Sequence, residues 1–351
     1  MRKFFTLFLV LAGLVALGQN STIDDLWKLY NSQDLESVIK ISGPLYDKDP
    51  NNLDLNLIIG RTYADQKKYK DAISYLEFTV KNDNENSWKK AWALTYLGTC
   101  YFILQKYEDA EKSLNACMTL NVTKNVTRDA FGKSLLFGFN EFYMGWKIIE
   151  TDKFRFYFQD MTDAEIEKYT SMREQAFKEI NGFFQSSLPK KIDFYVWNSR
   201  EDAKRLLGLD LGFAKPYFCV VHSHFQQTIG HEMTHVISDY CTNISNKTRF
   251  INEGTAVYFD QTRQDRLKQI KDWIATNNKQ ISVRDYWENG ATYAEEILYP
   301  LSGLFVKELI SNFGRDRFIA FFSNQSYDNA KTVFGDELDN VIQEFENKLN
   351  N

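Results

Sequence analysis

Residues 55–77 (LNLIIGRTYADQKKYKDAISYLE) and 93–115 (ALTYLGTCYFILQKYEDAEKSLN) are two copies of one pattern. Gly60 aligns with Gly98, Tyr63 with Tyr101, Tyr69 with Tyr107, Ala72 with Ala110 and Leu76 with Leu114. The offset is 38 residues, a 34-residue period lengthened by four around the polar stretch 81–87. A weaker copy lies 34 residues before the first, where Leu26 matches Gly60 and Val38 matches Ala72, and it closes at Asp49-Pro50-Asn51-Asn52. A unit of this length cannot bury its apolar face alone, so neighbouring copies must stack, and about three copies are needed for stability. Small residues at Gly60/Ala72 and Gly98/Ala110 let paired helices approach closely, and the aromatic and aliphatic positions fill the layers between copies.

This pattern resembles the tetratricopeptide repeat over residues 19–124. The resemblance implies an all-α array of about three repeats with a concave face. Such a face takes a peptide or protein partner, or else the array packs against the next domain. Residues 125–150 carry Phe131, Leu135, Phe139, Phe142, Tyr143 and Trp146 at spacings of three and four. That spacing predicts a helix that caps the stack.

The chain opens MRKFFTLFLVLAGLVALGQN, with Arg2 and Lys3 before an uncharged run and small residues near Gly18. This reads as a signal peptide over 1–18, so the mature chain is expected to be exported, periplasmic or extracellular, with no membrane span after cleavage. Formal net charge is −5, which disfavours nucleic acid as a partner. An exported chain permits disulfides among Cys100, Cys117, Cys219 and Cys241, but these residues serve equally well as small buried apolar groups.

All four histidines (His222, His224, His231, His235) fall within fourteen residues of the second half. Around them the pattern alternates. Strands are expected at 153–159, 191–197 and Tyr217–Val221, and helices at 162–184, 201–207 and 227–240. This is an α+β domain over 151–351.

The helix expected at 227–240 contains His231-Glu232-Met233-Thr234-His235, an HExxH motif. Residues four apart on a helix lie one turn along the same face, so both imidazoles can reach one metal ion. Glu232 beside them can take a proton from a water that zinc acidifies. A catalytic zinc needs a third protein ligand. No histidine follows His235, which excludes the three-histidine pattern with its third ligand downstream of the motif. Asp239, one turn on, is one candidate. Glu253, in Asn252-Glu253-Gly254-Thr255-Ala256-Val257-Tyr258, is the better one, because the intervening residues suffice for a turn and a returning helix.

These residues resemble the gluzincin metallopeptidases, zincin-like enzymes with an Asn-Glu-Gly-x-Ala-x-Tyr signature. The match departs at Val257, where the aminopeptidases of the group usually carry a second glutamate. The resemblance implies one zinc ion held by His231, His235 and Glu253, with Glu232 as general base. It also implies a tyrosine before the downstream helix as oxyanion donor, with Tyr299 first and Tyr293 in reserve. By the same analogy the strand just before the motif lies at the sheet edge and binds substrate. That role falls to Tyr217, Phe218, Cys219, Val220 and Val221. His222 and His224 share a face after that strand and could line the cleft or hold a second metal, though such pairs are more often solvated. No Gly-x-Met-Glu-Asn motif is present to hold a substrate amine, so the implied activity is that of an endopeptidase on a peptide or protein substrate. The competing reading is a catalytically idle platform that binds partners through the repeats.

Overall fold

The computed structural model describes residues 22–209 and 212–350. The expected signal peptide lies outside the described residues. The chain is mostly helical with one small mixed sheet, and it divides into two compact units after Met144.

The first unit is built of helices α1 (Ile23–Asn31), α2 (Leu35–Lys48), α3 (Leu53–Asp65), α4 (Tyr69–Asn82), α5 (Trp88–Ile103), α6 (Tyr107–Leu120) and α7 (Lys124–Leu136). The first six form three hairpins with the same local geometry. Each hairpin turns at one left-handed residue, Gln33, Lys67 or Gln105, with φ of 64°, 62° and 61°. The next amide donates back to the carbonyl of Leu29, Tyr63 or Tyr101 at 3.0, 2.8 and 2.9 Å. The aligned glycines explain the close helix pairing. A Cβ on Gly60 would stand 2.7 Å from Leu76 Cγ, and one on Gly98 would stand 2.7 Å from Leu114 Cδ2.

The expected 125–150 helix is shorter than the spacing suggested. It stops at Leu136 because Gly138 turns left-handed at φ 73°, and a single 3-10 turn follows at Glu141–Tyr143. The aromatic residues therefore do not share one helical face. Phe137 stacks on Phe102 with centroids 3.8 Å apart, whereas Phe131 stays half exposed and Trp146 belongs to the second unit.

The second unit opens with β1 (Lys147–Glu150) and β2 (Phe154–Phe158). It continues through α8 (Asp163–Phe184), β3 (Ile192–Trp197), α9 (Arg200–Leu207), β4 (Phe213–Lys215) and β5 (Val220–His224). The spatial order is β1-β2-β3-β5-β4. The β2–β3 and β3–β5 pairs are parallel, and the outer pairs are antiparallel. The expected helix at 162–184 forms with Thr162 and Glu165 closing a capping box, and it carries the chain between the parallel strands β2 and β3. Phe154, Phe156 and Phe158 project from β2 into a core shared with Tyr169 and Phe177 of α8 and Phe194 of β3.

Helices then dominate: α10 (His231–Ser238), α11 (Arg249–Tyr258), α12 (Arg266–Asn277), α13 (Val283–Glu288), α14 (Glu295–Phe322), α15 (Tyr327–Phe334) and α16 (Glu337–Asn350). Helix α14 breaks at Gly314, where φ 77° and ψ 166° are not helical. Helices α11 and α14 cross with almost no side chain between them. A Cβ on Gly254 would lie 2.6 Å from the Ser302 carbonyl oxygen, and one on Gly303 would lie 2.3 Å from Val257 Cγ1. Val257, the position that departs from the aminopeptidase signature, thus packs against α14.

Two strand expectations need correction. Tyr217–Val221 is not one strand. Pro216–Phe218 is a 3-10 turn, Cys219 turns left-handed at φ 51°, and the strand begins only at Val220. Nor is that strand the sheet edge. The three-residue β4 lies outside it, pairing Ala214 with Val221 and Phe213 with His222. Cys219, Val220 and Val221 are consequently fully buried and closed to a substrate backbone, and Tyr217 and Phe218 lie in the turn, off the sheet.

Candidate metal centre

The His231 helix starts at Gly230, whose φ of 112° suits a residue without a side chain. A Cβ there would meet the Phe259 carbonyl oxygen at 2.3 Å. One residue earlier, Ile229 forms a bridge with Gln261, whose N–H donates to the Ile229 carbonyl at 2.8 Å. The start of α10 is thereby fixed to the end of α11 by backbone alone. Thr248 caps α11, its side-chain oxygen accepting from the Ile251 N–H, and sets the turn that carries Glu253 back towards α10.

The ligand-capable atoms of His231, His235 and Glu253 lie within 4.8 Å of one another. Both Nε2 atoms face the same carboxylate oxygen, Glu253 Oε2, at 3.4 Å from His231 and 3.5 Å from His235. The imidazole planes are nearly perpendicular, 81° apart, with centroids at 5.0 Å. Asp239, the rival third ligand, points elsewhere and is ion-paired with Lys247.

Burial works against the ionisation of Glu253, but the two imidazoles outweigh it and hold its carboxyl far below the usual range. Glu232 behaves in the opposite way. Burial pushes its pKa up and the neighbouring histidines only partly oppose this. Asn252 stands against His235, its side-chain amide 3.2 Å from Nδ1. The same amide nitrogen, Nδ2, lies 3.5 Å from Glu253 Oε1, so Asn252 bridges the imidazole and the carboxylate and fixes their relative orientation. Two imidazoles, one ionised carboxylate and an orienting amide form a donor set that fits zinc, which takes three such ligands in catalytic sites.

The ring of Tyr299 lies over His231, with centroids 5.7 Å apart and planes 29° apart. Burial, and then the Glu253 carboxylate, push the Tyr299 hydroxyl far above the ordinary tyrosine value, so it remains a protonated donor. Helix α14 begins at Glu295, which places Tyr299 inside its second turn rather than ahead of it. Tyr293 is engaged elsewhere. Its hydroxyl bonds the Asp285 carboxylate, and its ring stacks on Tyr286 at 3.8 Å.

His222 and His224 take no part in the cluster. His222 is buried in a stack between Tyr195 and Phe213, with centroids at 4.4 and 5.0 Å, and its Nδ1 accepts from Trp197 Nε1 at 3.1 Å. His224 Nε2 lies 3.3 Å from the Asn198 carbonyl oxygen, and burial, followed by the Arg200 charge, lowers its pKa.

A trough runs past the cluster. One cavity, of about 460 Å³, is bounded by Gly212, Phe213, His231, Glu232, Asp260 and Tyr299. Another, of about 340 Å³, is bounded by Ala214, His235, Lys247, Asn252, Glu253 and Tyr299. Strand β4 borders both, and no further strand pairs with its outer edge among the described residues. Sequence reasoning missed β4, Asn252 as the partner of His235, and Asp260. The sequence signals were the Gly230 before the motif and the polar residues flanking Glu253 and closing α11.

Comparison with known proteins finds no family model that matches the chain and no curated protein that matches it.

Proposed function

We propose that the second unit is a zinc-dependent metallopeptidase of gluzincin type, acting as an endopeptidase on exported or extracellular peptides or proteins. The observation that carries this reading is the convergence of His231 Nε2 and His235 Nε2 on one oxygen of Glu253, with Glu232 half-buried beside them at an open trough. His231, His235 and Glu253 would hold the ion. Zinc bound there supplies Lewis acidity, lowering the pKa of water towards about 7 and polarising the scissile carbonyl. Glu232 accepts a proton from the attacking water and passes it to the departing amine. The Tyr299 hydroxyl donates a hydrogen bond to the carbonyl oxygen as negative charge develops on it. An extended peptide can lie along the free edge of β4, where the backbone of Phe213–Lys215 offers hydrogen bonds. This moves the substrate-strand role from residues 217–221 to 213–215.

The first unit supports a tetratricopeptide-type array. Three hairpins with the same turn, two of them with the same glycine–leucine contact, favour that reading, and an interaction surface for a peptide or protein is the role such arrays serve.

Metal analysis of the purified protein beside Glu232→Gln tests the enzymatic reading. One zinc per chain in both proteins, with peptide cleavage by the parent alone, is the expected result. Full zinc occupancy without cleavage of any member of a peptide library would move the weight to the idle-platform alternative.

A further inference from the structure

This inference rests on the peptidase reading and adds a substrate-binding residue to it. Gln227 lies in the turn between β5 and α10, on the wall of the cavity beside His231. Its main chain is held at both ends. The Gln227 N–H donates to the His224 carbonyl at 2.9 Å, and Arg173 Nη2 of α8 donates to the Gln227 carbonyl at 3.4 Å. Its side-chain oxygen is held as well. Oε1 accepts from the Ser223 hydroxyl at 3.0 Å and from the His224 N–H at 3.2 Å. Two donors on one end decide which end of the amide is oxygen, so the other end is the NH2 group. Nε2 donates to no group among the described residues, and it is not sealed in the interior but reaches the cavity wall.

The amide lies over Gly212, the residue that leads into β4. A Cβ on Gly212 would stand 2.1 Å from Oε1 and 2.9 Å from Nε2. Side chains alternate along extended backbone, so Gly212 shares a face with Ala214, opposite Phe213. Phe213 turns away to stack on His222, whereas Ala214 borders the cavity that holds His235 and Glu253. The amide therefore stands on the face of β4 that looks towards the metal ligands, at its Gly212 end. A peptide paired with the outer edge of β4 carries main-chain carbonyls past this point. A donor fixed in place before binding loses little freedom on meeting one of them.

We propose that Gln227 Nε2 binds a main-chain carbonyl of the extended substrate, on the side of the scissile bond that enters the cavity beside His231. The site then favours peptides that continue past the scissile bond into that cavity, and a substrate too short to reach Gln227 gains nothing from it.

The test uses end-blocked peptides with one fixed scissile bond, lengthened by one residue at a time on either side, and the variant Gln227→Glu. Glutamate keeps an oxygen for Ser223 and His224 but has no N–H to donate. For long peptides its KM is expected to rise about tenfold, the scale of one lost hydrogen bond, with kcat little changed. For peptides that stop short of Gln227, parent and variant should agree. A charge felt at the metal, or a loosened fold, would instead act on every length alike. Gly212→Ala, which adds no charge, is expected to displace the amide and give the same length dependence. No rise in KM in Gln227→Glu, or a rise of equal size at every length, overturns the proposal. A second readout needs no turnover. Fluorescence anisotropy of the longest peptide, labelled, on Glu232→Gln protein should show binding weakened by the same factor when Gln227→Glu is added, and equal binding overturns the proposal. If the parent cleaves none of the peptides, the peptidase reading fails, and this binding comparison alone decides the role of Gln227.

Discussion

Gly254 faces the carbonyl oxygen of Ser302 with nothing between them, and a Cβ added at Gly254 would stand 2.6 Å from that oxygen. The neighbouring residue in the chain is Glu253, and three residues before Ser302 is Tyr299. The close crossing of α11 and α14 is therefore what brings the carboxylate and the hydroxyl to the same centre. Gly254→Ala should force these helices apart. The expected outcome is destabilisation of about 1–3 kcal/mol, the usual range for overpacking, together with weaker zinc binding. Chemical denaturation and competition with a chromophoric chelator measure the two effects. Unchanged values would show that the helices can slide without disturbing the site.

Removing a ligand and removing its support should differ in degree. Asn252→Ala is expected to weaken zinc binding about 10–100-fold, as loss of an orienting partner usually does. Glu253→Ala removes the atom on which both imidazoles converge and should weaken it further. Asp239→Ala breaks only an ion pair with Lys247 and should leave zinc affinity near that of the parent. Calorimetric titration orders the three variants. An effect of Asp239→Ala as large as that of Glu253→Ala would reassign the third ligand.

Tyr299→Phe keeps the ring over His231 and deletes the hydroxyl. A lost oxyanion donor typically lowers kcat by about 100–1,000-fold. KM and bound zinc should change little, because the hydroxyl acts when charge develops rather than when substrate binds. Steady-state kinetics with metal analysis makes the check, and a variant with full activity would remove Tyr299 from the mechanism.

A separate prediction concerns the first unit. The Asp83 carboxylate, nearly fully buried, caps α5 by accepting from the Ser87 N–H, from the Ser87 hydroxyl at 2.6 Å and from the Lys90 N–H at 3.1 Å. Burial raises its pKa, but these donors outweigh burial and hold it below the ordinary 3.8. A carboxyl with a depressed folded-state pKa binds protons less tightly than the unfolded chain does. Its contribution is complete above the unfolded value and is lost as pH falls through the folded one. Asp83→Ala should destabilise the array by about 1–2 kcal/mol at pH 7, and the difference from the parent should shrink below about pH 4. Denaturation midpoints at pH 7 and pH 3 decide it. A gap that persists at pH 3 would mean that the role is steric.

Most of the site was legible because its signals are local. The four-residue spacing of His231 and His235 is fixed by helix geometry, and the repeat phase was visible in Gly60 and Gly98 because no other residue fits against Leu76 and Leu114. Strand β2 was legible because polar and aromatic residues alternate along 153–159, and the structure buries its four aromatic residues. The outer strand β4 was not legible. Three residues, Phe213–Lys215, are too few for a periodic pattern, and their pairing with β5 depends on a partner distant in sequence. The start of β5 was misread for a related reason. Tyr217, Phe218 and Cys219 have the composition of a strand, yet Cys219 takes a left-handed turn that nothing in its side chain announces. Gln33, Lys67 and Gln105 hid the hairpin turns in the same way, occupying φ near 60° where glycine would have marked them.

The backbone bridge between Ile229 and Gln261, with Gly230 seated on the Phe259 carbonyl, has a consequence for how the proposed centre would acquire an ion. The two ligand-bearing helices are already tied before any ion arrives, so loading should be a capture event rather than a folding event. A chelator should strip zinc from an intact domain that still unfolds in one cooperative step. Reloading should then be rapid and proceed without a lag.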